Sequence, residues 1–322
     1  MMIRHPARDA VRLARQGFTL VEALIAMTVG VIVLSAAVGF LLAQMRTLGS
    51  GDIREDLSRN SRYLGVSLRH DVQAAGIEIT STTSFGTVAA YPGTYGDTLV
   101  ILHVPYVPSP APPHDIDPPA GTDNPLAAGG TCGTYCIDVI KDANEPLELR
   151  QGDLARLQVA GTRRLILVEN ISTTNDTSIA ITFTAHDTIL RQPAGLASGL
   201  RLDRFSTYVQ KVQPTMYYLD DQQRLWRAVR LNLSGSPAGD ILAYGVEQFD
   251  VTLIFSDGDE LDRADPNDSD NSNDYDDIVA IRVRATFAAD RVDPRVNQGK
   301  VLKSTHEWLI SPRNLRYEKN KI

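Results

Sequence analysis

The most unusual polar side chain in this sequence is a single glutamate inside an apolar segment. Every side chain from residue 18 to residue 45 is uncharged except that of Glu22. An acidic side chain at the centre of a membrane helix costs about 2.5–3.5 kcal/mol. The position of Glu22 therefore calls for a functional reason.

The two cysteines form a second candidate site. Cys132 and Cys136 are the only cysteines in the chain. In an oxidising compartment this pair can close a small disulfide loop. Two free thiols or a fragment of a metal site are the alternatives. The metal alternative is the weaker of these because no histidine or second cysteine pair is placed to complete a tetrahedral set.

A third candidate is the acidic segment, residues 256–277, which contains ten acidic side chains. Asp268, Asp270 and Ser272 follow the spacing of the first three ligands in a Ca²⁺-binding EF-hand loop. Asn273 and Val279 stand where such a loop has its turn glycine and its closing glutamate. The segment is therefore not an EF-hand. It is either a Ca²⁺ site of another kind, with Asp268 and Asp270 as ligands, or a solvated polar loop.

Patterns typical of enzymes are missing from the sequence. It contains no Gly-x-Ser-x-Gly, no His-Glu-x-x-His and no phosphate-binding Gly-x-x-x-x-Gly-Lys-[Ser/Thr]. The five histidines that follow residue 17 are isolated from one another and from the cysteines: His70, His103, His114, His186 and His306. We therefore expect no enzymatic activity.

The beginning of the chain predicts a membrane anchor. Residues 1–17 hold four arginines and one aspartate, a charge of +3, so the remainder of the −7 chain holds −10. The apolar run of 28 residues that follows is longer than the core of a cleaved secretory signal and can cross a bilayer. The basic flank predicts a cytoplasmic leader and an exported remainder. That acidic remainder shows no basic surface for nucleic acid.

The junction between the leader and the apolar run resembles a known processing signal. Gly17-Phe18-Thr19-Leu20-Val21-Glu22, after a short basic leader, is similar to the type IV prepilin signature. The resemblance implies that a prepilin peptidase cleaves between Gly17 and Phe18 and that the new amine of Phe18 is methylated. The cut falls before the apolar helix, so the helix would be retained.

Such a cut would give Glu22 a partner. The freed cationic amine of Phe18 would lie one helical turn before Glu22, in the first turn, where the helix dipole also favours an anion. In a bundle of such helices the carboxylate can instead meet the amine of a neighbouring subunit. We hypothesise that this pairing helps to set the axial register of the subunits.

Periodicity predicts an α+β fold, with a long N-terminal hydrophobic helix packed on an enlarged, mainly antiparallel β-sheet head. The expected parts are a leader at 1–17, a membrane or filament-core helix at 18–48, an amphipathic helix at 49–76 and a β-rich head at 77–322. Glycines at 49 and 51 predict a kink or short break between the two helical parts. The expected strands are 98–104, 136–140, 154–159, 165–169, 179–185, 207–219, 225–231, 246–255, 278–287 and 301–310.

Two features of the head leave a choice of interpretation. Residues 105–119 hold seven of the 17 prolines and are predicted to form a long surface loop. Residues 216–226 predict a hairpin with its turn at 220–223. Its aromatic residues Tyr217, Tyr218 and Trp226 are either a binding patch or, as we favour, cross-strand packing.

The exported part resembles one class of pilins in particular. Five segments are similar to segments of PilW-type minor pilins and occur in the same order. They are "LGVSLRHDVQAAG", "YYLDDQQRLWR", "LAYGVEQFDVTLIFSDGDELDR", "YDDIVAIRVRATFAAD" and "SPRN". The resemblance implies a minor subunit of a type IV pilus that joins a priming or tip complex. Its implied partners are other minor pilins, the major pilin, the prepilin peptidase and an inner-membrane assembly platform. The implied location is the inner membrane before assembly and the pilus afterwards.

Two other functions fit parts of the sequence. A minor pseudopilin of a type II secretion system, similar to the J-type subunit, would share the leader, the helix and the β head. A single-span anchored periplasmic binding protein would explain the apolar run but not the arrangement of Gly17, Phe18 and Glu22.

Overall fold

The computed structural model describes residues 19–82, 85–106, 109–116, 135–142, 146–159, 162–173, 176–183, 207–267, 272–290, 292 and 299–314. It confirms the α+β class: one long N-terminal helix packs by its second half on a large antiparallel β-sheet head.

Helix α1 spans Leu20–Ala74 without interruption. Its 55 residues correspond to a length of about 83 Å. Of the two alternatives predicted at residues 49–51, a kink or a short break, the break was wrong, since the helix continues through these positions. A helical glycine costs only about 1 kcal/mol, and long helical sequences on both sides offset that cost. The helix ends as predicted near Gly76, whose φ of +77° lies in the left-handed region that glycine tolerates.

Fourteen strands are described after the helix. They are β1 Val88–Tyr91, β2 Thr98–His103, β3 Pro113–Asp115, β4 Cys136–Ile140, β5 Leu154–Val159, β6 Thr162–Thr173, β7 Ser178–Phe183, β8 Tyr208–Leu219, β9 Leu225–Leu231, β10 Pro237–Ala243, β11 Val246–Phe255, β12 Glu260–Leu261, β13 Ile278–Ala288 and β14 Lys303–Ile310. All ten strands predicted from the sequence are present, with ends shifted by a few residues. The additional strands β1, β3, β10 and β12 are short or contain proline and glycine.

The strands form two antiparallel sheets. The smaller sheet has the order β12-β11-β13-β14. In the larger sheet the main path is β1-β2-β8-β5-β6-β7-β4, with β9 and β3 also pairing with β8 and β10 pairing with β9. A bridge between Ile116 and Val139 joins β4 to the chain directly after β3. The path β3-β8-β5-β6-β7-β4 therefore closes on itself, and we call it the closed-path unit.

The apolar cores follow this division. The core beneath α1 combines its inward stripe, which includes Leu64, Leu68 and Val72, with residues of β11 and β13. A separate cluster fills the closed-path unit, with Ile137, Leu157, Ile166, Ile181 and Val209 among its members. Strand β8 belongs to both parts of the head. Its first half pairs with β3 and β5 and its second half with β2 and β9.

The prediction of a surface loop across the proline-rich residues 105–119 was wrong in part. Residues 113–115 form β3, which pairs with β8, and Ala111, His114 and Ile116 are buried. Proline is tolerated here because Pro113 is the first residue of a three-residue strand.

Candidate assembly helix and its junction with the head

The first half of α1 has no partner in the described part of the subunit. Leu20–Met45, 26 residues, is long enough and apolar enough to cross a membrane, and no part of its most apolar window is buried. Leu20, Ile32, Leu34 and Phe40 each expose more than half of their surface. Such a surface is stable only in lipid or against other apolar helices.

Glu22 closes the N-terminal end of the helix through a reciprocal pair of hydrogen bonds. The Thr19 backbone N–H donates to Glu22 Oε2 at 3.0 Å, and the Thr19 hydroxyl donates to the same atom at 2.9 Å. The Glu22 N–H donates in return to Thr19 Oγ1 at 3.3 Å. This capping box satisfies two amide groups that a helix start leaves free. Within one subunit, the carboxylate thus has a structural role.

Several predicted site residues lie outside the described residues. They are Gly17 and Phe18 of the cleavage site, Cys132 of the cysteine pair, and Asp268 and Asp270 of the acidic segment. Cleavage, methylation, disulfide pairing and Ca²⁺ binding by these residues stay predictions. Cys136 is described and is buried at the start of β4.

An ion pair between a buried carboxylate and a half-buried guanidinium joins the second half of α1 to the large sheet. The Asp71 carboxylate is held by the Arg227 guanidinium, with Nε donating to Oδ2 at 2.7 Å and Nη2 to Oδ1 at 2.8 Å. The Tyr217 hydroxyl donates to Oδ2 at 2.5 Å, and His70 Nδ1 lies 3.0 Å from Oδ1. Asp71 is only 4% exposed. We call Asp71, Arg227 and Tyr217 the junction cluster.

The pKa values in this cluster follow from these contacts. Burial alone would raise the pKa of Asp71, but hydrogen bonds from Arg227, His70 and Tyr217 outweigh it, and the pKa is lowered. The hydrogen bond to Asp71 raises the pKa of Arg227, and burial together with the nearby Asp71 charge raises the pKa of Tyr217. Asp71 is therefore a carboxylate at neutral pH, and the cluster is an ionic contact between helix and head.

A close approach of an aromatic ring makes a second contact between helix and head. Trp308 of β14 lies against the backbone of Gly65, and a Cβ atom added to Gly65 would overlap the indole nitrogen. Gly65 is buried, although it lies in a helix interior where glycine is unfavourable. The glycine therefore permits β14 to cross the helix at short distance.

The hairpin between β8 and β9 is present as predicted, with Leu219 opposite Leu225. Its turn is closed by Asp220, which accepts hydrogen bonds from the backbone N–H of Arg224 at 2.9 Å and from Trp226 Nε1 at 2.7 Å. Burial opposes the effect, but these bonds lower the pKa of Asp220 to about 2. Tyr218 and Trp226 stack across the strands with ring centroids 6.2 Å apart. Tyr218 and Trp226 therefore pack across the strands as predicted, whereas Tyr217 faces the helix and belongs to the junction cluster.

The described part of the acidic segment includes one close group of carboxylates. Asp274, Asp276 and Asp277 each offer an oxygen within 4.8 Å of the others. Asp274 is buried and the other two are half-buried, but proximity of carboxylates alone does not indicate an ion, so this group adds no support for a metal.

Sequence reasoning missed the junction cluster. Asp71 lies three residues after Leu68 and seven after Leu64, on the apolar face of the helix. A carboxylate on that face needs a buried partner, and this requirement was the signal in the sequence. Arg227 lies 156 residues away, so its identity as the partner could not be read from local spacing.

Comparison with known proteins gives a short match and a distant likeness. Residues 12–38 match the model of the prokaryotic N-terminal methylation motif. A type IV-like pilin from Thermus thermophilus aligns with 80% of this chain and 96% of its own, at 10% identity and a TM-score of 0.35. An overlap at that level does not define a shared fold. No curated protein sequence matches the chain significantly.

The methylation motif covers the predicted cleavage site, Glu22 and the beginning of α1. The comparisons and the geometry therefore agree at the N-terminus, where a prokaryotic methylation motif leads into an apolar helix that is left uncovered by its own head.

Proposed function

We propose that this chain is a minor pilin of a type IV pilus, of the PilW type, and that it joins a priming or tip complex after processing by a prepilin peptidase. In this proposal the enzyme cuts between Gly17 and Phe18, and the Phe18 amine is methylated. The helix then anchors the subunit in the inner membrane, with its head in the periplasm, until an assembly platform transfers it to the fibre. Other minor pilins and the major pilin are its neighbours there.

One observation carries the proposal. The methylation motif at residues 12–38 overlaps a 26-residue apolar segment, Leu20–Met45, that the described head leaves uncovered, and the same helix continues into the core of that head. A simple membrane anchor also needs an apolar span, but it needs neither the methylation motif nor a rigid helical connection to the head. A subunit that moves from bilayer to polymer uses both.

The decisive experiment is mass spectrometry of the chain from cells with an active prepilin peptidase. We expect a mature N-terminus that begins with methylated Phe18. A Gly17→Val variant should keep its leader and stay in the membrane fraction. Finding the unprocessed N-terminus in wild-type cells would reduce the protein to a tethered periplasmic domain.

A second experiment addresses the fibre. The mature chain should be detected in sheared pili, in low amount relative to the major subunit. Its deletion should reduce the number of fibres. If the chain is recovered only together with a secretion apparatus, and if the deletion strain has normal pili, the result would support a pseudopilin instead.

The role of Glu22 has its own test. Glu22→Ala should be cleaved normally but should enter fibres poorly, since it loses the charge that meets a neighbouring amine. Glu55→Ala is the matched control, because Glu55 is exposed on the same helix outside the apolar half. Normal incorporation of Glu22→Ala would contradict the intersubunit pairing.

A further inference from the structure

The outward face of the second half of α1 combines exposed cations with exposed apolar side chains. Arg59, Arg62, Tyr63, Val66 and Arg69 all lie on this side and are exposed; we call them the arginine face. Tyr63 and Val66 expose 60% and 62% of their surface. Residues 57–70 contain no acidic side chain. The face is therefore positive and partly apolar, although the chain as a whole is acidic.

Two of these arginines have no counterion among the described residues. Arg59 pairs with Asp56 at 3.1 Å in an exposed ion pair. In the part of the chain that the structure describes, no carboxylate lies within ion-pair distance of Arg62 or Arg69. These two cations flank Tyr63 and Val66. The arrangement resembles the centre of a protein interface, where arginine and tyrosine are enriched.

The acidic segment has the complementary charge. Asp257, Asp259, Asp262 and Asp265 are all exposed, and Arg263 is the one cation among residues 256–267. The acidic segment connects strands of the sheet that packs against the inner side of α1. The arginine face is on the opposite side of that helix. The acidic segment of one subunit is therefore available to the arginine face of another.

The contacts along α1 place the arginine face and the acidic segment at different positions along the helix axis. Trp308, which pairs with Val283 of β13, lies at Gly65. Asn314 donates to the Gln73 carbonyl at 2.8 Å, and Ser311 donates to the Val279 carbonyl, also at 2.8 Å. The acidic segment thus joins β13 at the Gln73 end. Ten residues separate Tyr63 from Gln73, which is about 15 Å along the helix.

We propose that the arginine face binds the acidic segment of a second copy of this chain, displaced by about 15 Å towards the membrane. The inference rests on the proposed function for the side-by-side arrangement of parallel helices, and it adds a second copy of this chain to the neighbours named there. Complementary surfaces at different places on one chain give a head-to-tail contact. The displacement leaves the apolar halves, about 39 Å long, overlapping by about 24 Å.

The test uses full-length chains in cells that also contain the prepilin peptidase and the assembly platform, because two copies held only by one bilayer would have their apolar halves at the same depth. One copy carries Val66→Cys and the other Asp259→Cys, and a short bifunctional maleimide links them. We expect a cross-linked pair. Adding Arg62→Glu and Arg69→Glu to the first copy should lower its yield by about tenfold or more, because like charges then face each other. Asp257→Arg and Asp262→Arg in the second copy should restore it.

The matched control replaces Arg230 and Arg284, which are exposed elsewhere on the head, by glutamate. This variant has the same change in net charge and should cross-link normally. A pair that never forms, or a yield that falls equally in the control, overturns the inference. If Phe18 is methylated in those same samples, the proposed function survives that failure. If Phe18 is unprocessed, the proposed function fails by itself.

Discussion

The two halves of α1 belong to one continuous helix but have opposite surroundings. Leu20–Met45 is apolar on all sides and is exposed to solvent in the isolated subunit. Residues 53–74 have one apolar stripe, which is buried against the head, and one polar face. The second half is thus stabilised within the subunit, whereas the first half depends on lipid or on other chains.

This difference separates folding from assembly along a single element. Substitutions in the second half should change the free energy of unfolding of the head, and substitutions in the first half should change only membrane insertion or association. The following tests ask how sharp that boundary is.

The largest loss of stability is expected from Asp71→Ala. This change leaves the Arg227 guanidinium and the Tyr217 hydroxyl without their acceptor. Removing one partner of a fully buried ion pair costs about 3–5 kcal/mol, and because the Arg227 side chain is 32% exposed we expect a loss at the lower end of that range. Urea unfolding of the full chain in detergent micelles measures the effect. Asp56→Ala is the control, since its exposed pair with Arg59 contributes about 0–1 kcal/mol. Equal losses in both variants would show that the junction cluster is not a strong link.

A pair of leucine truncations compares the two halves directly. Leu68→Ala empties a fully buried position and should destabilise the head by about 2–5 kcal/mol. Leu34→Ala removes the same atoms from a side chain that is 68% exposed, so the head should unfold at an unchanged urea concentration. A comparable shift for Leu34→Ala would mean that the first half also supports the head.

A smaller effect is expected from filling the space beside Gly65. Gly65→Ala places a methyl group against the Trp308 indole, so β14 must shift. Overpacking of this kind costs about 1–3 kcal/mol, although alanine favours the helix by about 1 kcal/mol. Gly39→Ala, in the first half of the helix, has open space around the new methyl group, so only the gain in helix propensity applies. Thermal unfolding followed by Trp fluorescence should show a lower midpoint temperature for Gly65→Ala than for the wild type. The midpoint temperature of Gly39→Ala should not be lowered.

The smallest expected difference is in how the free energy of unfolding depends on pH in the acidic range. The folded state lowers the pKa of Asp71 below its ordinary value of 3.8. The stabilisation is therefore complete above that value and is lost as the pH falls through the lowered pKa. Wild type should lose stability more steeply in this acidic range than Asp71→Ala. Asp97, whose pKa is raised by burial, acts in the opposite sense and is the same in both proteins. Parallel pH profiles would contradict the assignment.

Local patterns predicted most of the fold. Alternation located ten of the fourteen described strands, and the stripe containing Leu64 and Leu68 located the buried face of the helix. Strand β10 was missed because Pro237 and Gly239 interrupt its alternation, and β3 was missed because prolines surround it. The break at residues 49–51 was predicted wrongly because two glycines weaken a helix without ending it.

In the candidate site, too, the sequence predicted the local feature but not the contact between distant segments. Glu22 could be singled out from one short motif, and the structure adds that Thr19 binds its carboxylate. The junction cluster depends on residues 71, 217 and 227, and nothing in the local sequence pairs them. Contacts between distant segments depend on the order of the strands, which periodicity does not determine.

Strand β8 has a mechanical consequence. Val209, near its beginning, belongs to the core of the closed-path unit, and Tyr217, near its end, donates a hydrogen bond to Asp71 on the helix. A tensile force applied to the closed-path unit is therefore transmitted along the β8 backbone to Tyr217, whose hydrogen bond to Asp71 links the strand to α1. Before the unit can separate from the anchor, that force must shear the pairing of β8 with β2 and β9 and break the contact between Tyr217 and Asp71.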